Sequence, residues 1–488
     1  MFLGLDLGTS ELKALLLDTQ HRVIGTAHAP LTVAHPHPLW SEQTPAQWWE
    51  ALCSVMDTLY REQPNALAAL KAIGLSGQMH GAVLLGERHE VLRPAILWDD
   101  GRSHAECQDL TTAVPSLSAI TGNLAMPGFT APKLLWVKAH EPAVFAQTRK
   151  VLLPKDWLRL QLSGDMVSDL SDAAGTLWLD VGKRDWSDTV LAACQLSRDH
   201  MPSLVEGSAP SATLLPALSR RWGLPPGLVI AGGAGDNAAS AIGMGIHSHG
   251  QGFVSLGTSG VVFVAGANFT PNPAQAVHAF CHALPNRWHQ MSVMLSAASA
   301  LTWAKQTLGF DSEADLLVLA ASLTPSQRAQ APLFLPYLSG ERSPHNHATA
   351  KATWFGINSH HSTADLAYAV AEGVGFGLRD GLDTLALCPT DALSVVGGGT
   401  RSVWWLQLLA SIFQRNLQLL SGAQTGAALG AARLGWLATL PQTDESIAYV
   451  CIPPKVEMTF TPASVDHSIL NERYQGFRAL YQATKHLM

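Results

Sequence analysis

A strand that breaks at Gly-Thr-Ser and returns at once as a second strand occurs twice in this chain. The first copy, Phe2-Leu3-Gly4-Leu5-Asp6-Leu7-Gly8-Thr9-Ser10, leads into Leu12, Ala14, Leu15, Leu16 and Leu17. The second is Phe253-Val254-Ser255-Leu256-Gly257-Thr258-Ser259-Gly260-Val261-Val262-Phe263-Val264. Each apolar run has the length of a buried strand, and each interruption supplies hairpin-turn residues. Glycine beside hydroxyl residues forms a nest of backbone N–H groups that holds phosphate oxygens. One such turn is an ordinary hairpin. Two in matching positions predict two similar halves with facing turns. A chain of 488 residues exceeds what a single core supports, so more than one domain is expected on size alone.

Function classes fall away on charge and cysteine usage. A net charge of −7 with no basic run argues against nucleic acid or an anionic membrane surface as partner. Cys53, Cys107, Cys194, Cys281, Cys388 and Cys451 lie far apart, which predicts no disulfide framework and fits a cytoplasmic location. Asp6 interrupts what would otherwise be the apolar region of a signal peptide, and no basic stretch precedes it. No apolar run reaches the length of about 18 residues that a membrane span needs.

Along the first half, Thr44-Pro45-Ala46-Gln47 reads as a capping box with proline at the first helical position. Trp48, Trp49, Leu52, Met56 and Leu59 then mark the core stripe of a helix reaching about Tyr60. The strand Ala72-Ile73-Gly74-Leu75-Ser76 runs into Gly77-Gln78-Met79-His80-Gly81, and Pro94–Trp98 runs into Asp99-Asp100-Gly101-Arg102. Polar groups at the C-terminal ends of strands stand where open α/β sheets take ligands. His80 by itself reads equally as a core or surface histidine; the two strand ends together point to a site. Further on come a helix from Pro132 to about His140, a strand over Val151–Asp156, and the run Ser168-Asp169-Leu170-Ser171-Asp172. That run lacks the glycine and terminal Glu of a calcium loop, so its acids read as solvated turn or cap groups.

Leu228–Ala231 forms a buried strand ending in Gly232-Gly233-Ala234-Gly235, after which Asp236 and Asn237 open a small-residue helix from Ala238 to about Gly245. An acid there meets unpaired N–H groups and the positive helix end. Capping is worth about 1 kcal/mol, but it leaves three glycines in four positions unexplained. Glycine lets something approach the backbone closely. The polar stretch His247–Gln251 divides the chain into domains 1–246 and 247–488. In the second half, Met294–Leu308 and Thr363–Ala386 read as helices, and Leu333–Tyr337 as a strand entering Ser339–His345. Leu393–Val396 is a strand ending in Gly397-Gly398-Gly399-Thr400 before a helix from Trp404 to about Phe413. Those glycines suggest a nucleotide loop, although their spacing is neither G-x-G-x-x-G nor the Walker form. Gly426–Leu440 reads as a helix, and residues 441–488 as a loop with a closing amphipathic helix. The clusters His278-x-x-Cys281-His282 and His345-x-His347 supply no four-ligand zinc set, and the lack of G-x-S-x-G argues against an α/β-hydrolase.

Read in order, Asp6-Leu7-Gly8-Thr9-Ser10, Gly77-Gln78-Met79-His80-Gly81, Gly235-Asp236-Asn237-Ala238-Ala239, Leu256-Gly257-Thr258-Ser259-Gly260, Gly340-Glu341-Arg342 and Gly397-Gly398-Gly399 resemble the motifs of the FGGY family of carbohydrate kinases. The likeness runs from residue 2 to about 440 and includes Pro38-Leu39-Trp40-Ser41-Glu42-Gln43. It implies an α/β fold of two ribonuclease-H-like (actin-like ATPase) domains flanking a cleft, the first holding the sugar and the base, the second the nucleotide. It further implies ATP-dependent phosphorylation of D-xylulose to D-xylulose 5-phosphate with Mg²⁺. Another sugar or polyol kinase of the family, acting on ribulose, gluconate or glycerol, is an alternative, as is a non-catalytic sugar- or nucleotide-binding protein. Carried over by motif, Asp236 matches the catalytic base and Asp6 the acid that reaches the metal through water. Gln78, Met79, His80, Asp100, Asp236 and Asn237 match the substrate site. Thr9, Ser10, Gly257, Thr258 and Ser259 match the phosphate-facing turns, and Gly398 and Gly399 the adenosine side. Ala234 breaks a glycine run, and Asp99 stands where relatives often carry Asn, which leaves the roles of Asp99 and Asp100 open. A homodimer is a family-level expectation.

Overall fold

Both halves build the same sheet from different residues. The computed structural model describes residues 1–390, 392–422, 426–464 and 467–488. In the first half β1 (Phe2–Leu7), β2 (Glu11–Leu17) and β3 (Val23–Pro30) form an antiparallel meander. On the other side of β1, β4 (Ala72–Gly77) and β5 (Val229–Ala231) run parallel to it. In the second half β6 (Gly252–Leu256), β7 (Gly260–Gly266) and β8 (Trp288–Met294) form the meander. There β9 (Leu393–Val396) and β10 (Leu417–Leu420) continue in parallel. Counted within each half, the strand order is 3-2-1-4-5 in both, as the repeated hairpins predict. Residues of β4 are buried throughout, as a parallel strand covered on both faces requires.

The register fixes where the first acid stands. Asp6 pairs with Lys13 across the hairpin and with Ser76 on β4. Beyond β5, the two residues Ala234 and Gly235 pair with Ser76 and Gly77. Asp6 and the residue that follows Gly235 therefore emerge at the same end of one sheet.

Several elements depart from expectation for physical reasons. Thr44 precedes helix α1 (Pro45–Glu62) without a side-chain cap bond. The Gln47 carboxamide oxygen accepts from the Thr32 N–H at 3.1 Å instead, so no capping box forms. The strand expected over 151–156 covers only Lys150–Leu152, because Pro154 opens α2 (Pro154–Ser163), a position that proline pre-organises. The acids of 168–172 are not solvated. Asp169 caps the short α3 (Leu170–Ala173), and Asp169, Ser171 and Asp172 are all buried. Met294 belongs to β8, paired with Gly260, and the following helix starts four residues later, at Ala298. In chain order, α4 (Asp236–Gly243) precedes α5 (Ala298–Leu308) and α6 (Thr363–Asp383). The strand at Leu333 ends at Leu335. Residues 441–488 add to their closing helix (His467–Thr484) a short helix and an edge strand, Val456–Phe460, on β10.

Helix α7 (Gly426–Leu437) comes from the second half of the sequence yet covers the first sheet. A methyl group on Gly4 would stand 1.9 Å from the Ala428 carbonyl oxygen, and one on Gly74 1.8 Å from that of Ala431. The helix backbone thus rests directly on β1 and β4. It rests on α4 as well: Gly430 would meet the Ala239 oxygen at 1.8 Å. Buried Arg433 donates to the carbonyls of Ile242 and Gly243 at 2.9 and 3.0 Å, satisfying the C-terminal end of α4. Among the described residues no helix is long and apolar enough to cross a membrane.

Candidate active site

Asp236 is the first residue of α4, and its carboxylate is half used. Oδ1 accepts the Asn237 backbone N–H at 2.7 Å and side-chain N–H at 2.9 Å, while Oδ2 has no hydrogen-bond partner among the described residues. Burial, and after it the charge of Asp6, raises Asp236 to a pKa of about 6. A helix N-terminus would pull a carboxylate down; desolvation and a like charge outweigh it here. The preceding glycines admit the chain itself. A methyl group on Gly232 would stand 2.2 Å from the Glu206 oxygen, and one on Gly233, at φ +82°, 2.4 Å from that of Leu75. Gly235 lies against Met79, whose Cγ would be 2.8 Å from an added methyl group. That contact joins the base to the end of β4.

His80 follows Met79 in the left-handed region, at φ 68°, which turns the chain sharply at the strand end. Its Nδ1 donates to the Gly175 carbonyl at 2.6 Å, leaving Nε2 an acceptor without a partner among the described residues. Burial drives its pKa down to about 3, so the ring is neutral. Phe129 lies 4.7 Å away edge-on, and Thr130 Oγ1 and Lys133 Nζ both donate to the His80 carbonyl. Gln78 is turned away from this space. Its Nε2 donates to Gln43 Oε1 at 2.9 Å and its Oε1 accepts from Thr9 Oγ1 at 3.3 Å. It ties the strand end to the first Gly-Thr-Ser turn.

A cavity of about 370 Å³ lies between the halves. Asp6, Lys13, Ser240 and Met244 line it from one side, and Ser255, Gly397, Gly398, Thr400 and Arg401 from the other. Asp6 Oδ1 is buried without a hydrogen-bond partner among the described residues, and desolvation raises its pKa. The backbone N–H groups of Thr9, Ser10, Thr258 and Ser259 have no acceptor among the described residues. In the second turn the carbonyls of Gly257 and Thr258 accept the N–H groups of Ala298 and Ala297, at 2.9 and 3.0 Å. Gly398 borders open space, whereas Gly399 is packed against Trp405 and Leu256. Lys13 and Arg401, both cationic, were not among the residues that sequence motifs single out. Lys13 does leave one signal, as the only charge between Leu12 and Leu17 in β2. A second cleft of about 470 Å³, bounded by Ser248, Arg287 and Asp444, holds none of the expected site residues.

Asp99 and Asp100 separate cleanly. The Asp100 carboxylate is buried and fully engaged, accepting the Ser41 N–H at 2.6 Å and Arg102 Nη2 at 2.7 Å. The Arg102 guanidinium lies 3.6 Å over the Trp40 ring. Asp99 is exposed and accepts from Ser41 Oγ at 2.9 Å. Beside it, the exposed Trp98 donates its indole N–H to Thr9 Oγ1 at 3.0 Å. Asp100 thus holds the loop, and Asp99 and Trp98 face out of it.

Residues 1–243 match the model of the N-terminal domain of the FGGY family of carbohydrate kinases, and residues 252–439 that of its C-terminal domain. The chain belongs to the FGGY family of carbohydrate kinases. Among curated relatives, xylulose kinase of Escherichia coli (strain K12) is 49% identical over 490 residues, covering 100% of both chains. Xylulose kinase of Klebsiella pneumoniae is 52% identical over 446 residues, covering 91% of each. Among solved structures, that of a xyloylose kinase from Brucella ovis superposes with a TM-score of 0.96 at 47% identity, covering 100% of both chains. The family's two-domain architecture is the one that the duplicated sheets display.

Proposed function

We propose that this chain transfers the γ-phosphoryl group of ATP to the 5-hydroxyl of D-xylulose, with Asp236 as general base. The observation that carries the base is its Oδ2, without a hydrogen-bond partner among the described residues, on a carboxyl with a pKa of about 6 that follows the Gly235 packed on Met79. The full-length likeness to xylulose kinases supports the substrate. The sugar lies by His80 Nε2 and the outward face of Trp98 and Asp99. Its 5-hydroxyl oxygen bonds the γ-phosphorus as the bond to the β–γ bridging oxygen breaks, and the hydroxyl proton passes to Asp236 Oδ2. ADP leaves with the bridging oxygen.

Phosphoryl transfer has a loose transition state, so positioning and charge neutralisation supply most of the acceleration. The free N–H groups of Thr9, Ser10, Thr258 and Ser259 suit phosphate oxygens, and Lys13 and Arg401 add positive charge to the cavity. Gly398 leaves room for the nucleotide. Asp6 fits a magnesium ion held through water: its Oδ1 is buried and unpartnered, and a strongly hydrated cation satisfies such an atom. Magnesium bound there would neutralise the polyphosphate. Six free cysteines suit a reducing cytoplasm. The test is a coupled ADP-release assay over D-xylulose, D-ribulose, gluconate and glycerol. D-Xylulose should give the highest kcat/KM; preference for another acceptor reassigns the substrate, and no sugar-dependent ADP release with any of them rejects catalysis.

A further inference from the structure

We infer that Ser171 is a positioning residue for Asp236, anchored by a buried ionic cluster of Lys155, Arg159, Asp156, Asp169 and Asp172. The inference rests on Asp236 being the base. The segment from Ala231 to Gly235 is three-fifths glycine, the residue with the greatest backbone freedom. The β4 pairing of Ala234 and Gly235 and the bonds of the Gly232 and Gly233 N–H groups to the Ala209 and Gly207 carbonyls set its course, and two side chains anchor it further. Arg159 donates to the Ala231 carbonyl at 2.6 Å and to that of Gly232. Ser171 Oγ accepts the Gly235 N–H at 3.2 Å, immediately before the base.

The hydroxyl can only accept there, because its own proton is committed. Ser171 Oγ donates to Asp169 Oδ1 at 2.5 Å, an oxygen that also takes the N–H groups of Ser171 and Asp172 at 2.8 and 3.2 Å. Asp169 Oδ2 lies 2.7 Å from Lys155 Nζ, which also contacts Asp156 at 2.6 Å and Asp172 at 3.0 Å. Lys155, Asp156, Arg159, Asp169 and Asp172 are 0% exposed and Ser171 1%. Buried ions carry a desolvation penalty that well-packed apolar groups avoid, and burial raises the Asp172 pKa well above the usual carboxylate range, so stability is a poor account of this cluster. What apolar groups could not do is run hydrogen bonds out to the backbone that carries Asp236. The chain Lys155–Asp169–Ser171–Gly235 ends one residue from the carboxylate.

A double-mutant cycle tests this, with Ser171→Ala, Asp236→Asn and the pair measured for kcat and both KM values. Ser171→Ala should lower kcat by about 10- to 100-fold, the scale of a slight misplacement of a reacting group. Both KM values should change less than threefold, and the Asp236→Asn background should show no further loss. Equal losses in both backgrounds would make Ser171 mere scaffolding and overturn the inference. So would normal kcat in Ser171→Ala while Asp236→Asn is impaired, and that result would leave the base intact. Near-normal turnover in Asp236→Asn would instead remove the base, and the inference with it. Should Ser171→Ala lack native circular dichroism, Ser171→Cys, of similar volume and a weaker acceptor, goes through the same cycle and is read the same way.

Discussion

Asp6 and Asp236 stand close enough that the charge of one, after burial, is the main influence holding the other at a pKa of about 6. As a base Asp236 must be ionised, so kcat/KM should fall tenfold per unit as pH drops below about 6, since that ratio reports the free enzyme. Asp6→Asn removes the repelling charge and should carry this acid limb to lower pH, whatever it does to the rate. Asp236→Asn should lose about 10²- to 10⁴-fold in kcat and lose the limb. A pH profile of each variant checks all three; a limb that stays put in Asp6→Asn would sink the coupling.

His80 is expected to serve as a neutral acceptor. Its Nδ1 proton is spent on Gly175, and its pKa of about 3 keeps it uncharged throughout the working range. His80→Ala should raise the KM for sugar by about tenfold, the loss expected of one hydrogen bond, and leave the KM for ATP unchanged. Initial rates over both substrates decide the matter.

His289 is buried with neither ring nitrogen partnered among the described residues, stacked on Phe263 at 4.3 Å. Burial lowers its pKa from 6.5 to about 3. The unfolded chain therefore binds a proton that the folded one refuses between those values. Stability contributed by the neutral ring is complete above pH 6.5 and is lost progressively as pH falls toward 3. His289→Phe should flatten the stability–pH curve in this window by about 1.4 kcal/mol per unit. Urea unfolding at several pH values measures it; an unchanged slope would rule out this histidine as the source.

Gly74→Ala should be among the most damaging single-methyl changes in the chain. The new carbon would meet the Ala431 oxygen at 1.8 Å, with backbone on both sides and nothing free to yield. A loss of at least about 3 kcal/mol is expected, the upper range for overpacking. Denaturant unfolding at constant m-value would register it.

Much of this was legible before any coordinates, because the repeated turn is a backbone pattern and backbone patterns are local. Asp6, Thr9 and Thr258 could be placed at hairpin turns from that pattern alone, whereas Gly398 needed the family resemblance. What escaped was decided by partners distant in sequence. The acids of 168–172 read as solvated because nothing nearby in the chain announces Lys155. Gln47 abandons its capping box for Thr32, and the glycines before Asp236 accommodate Leu75 and Glu206, none of which the local sequence reveals. Pro154 is different. It stood in plain view as a helix-opening residue, and the apolar run before it masked the signal.

The course of helix α7 bears on how the protein could ever be taken apart. A fragment stopping at residue 246 would contain every strand of the first sheet but lack the lid over Gly4 and Gly74, with bare peptide groups and Leu side chains thrown open to water. Proteolytic trimming from the C-terminal side past residue 426 would do the same. The first sheet is therefore covered late in synthesis, by residues that the ribosome delivers only after strands β6 to β10 of the second sheet have been made.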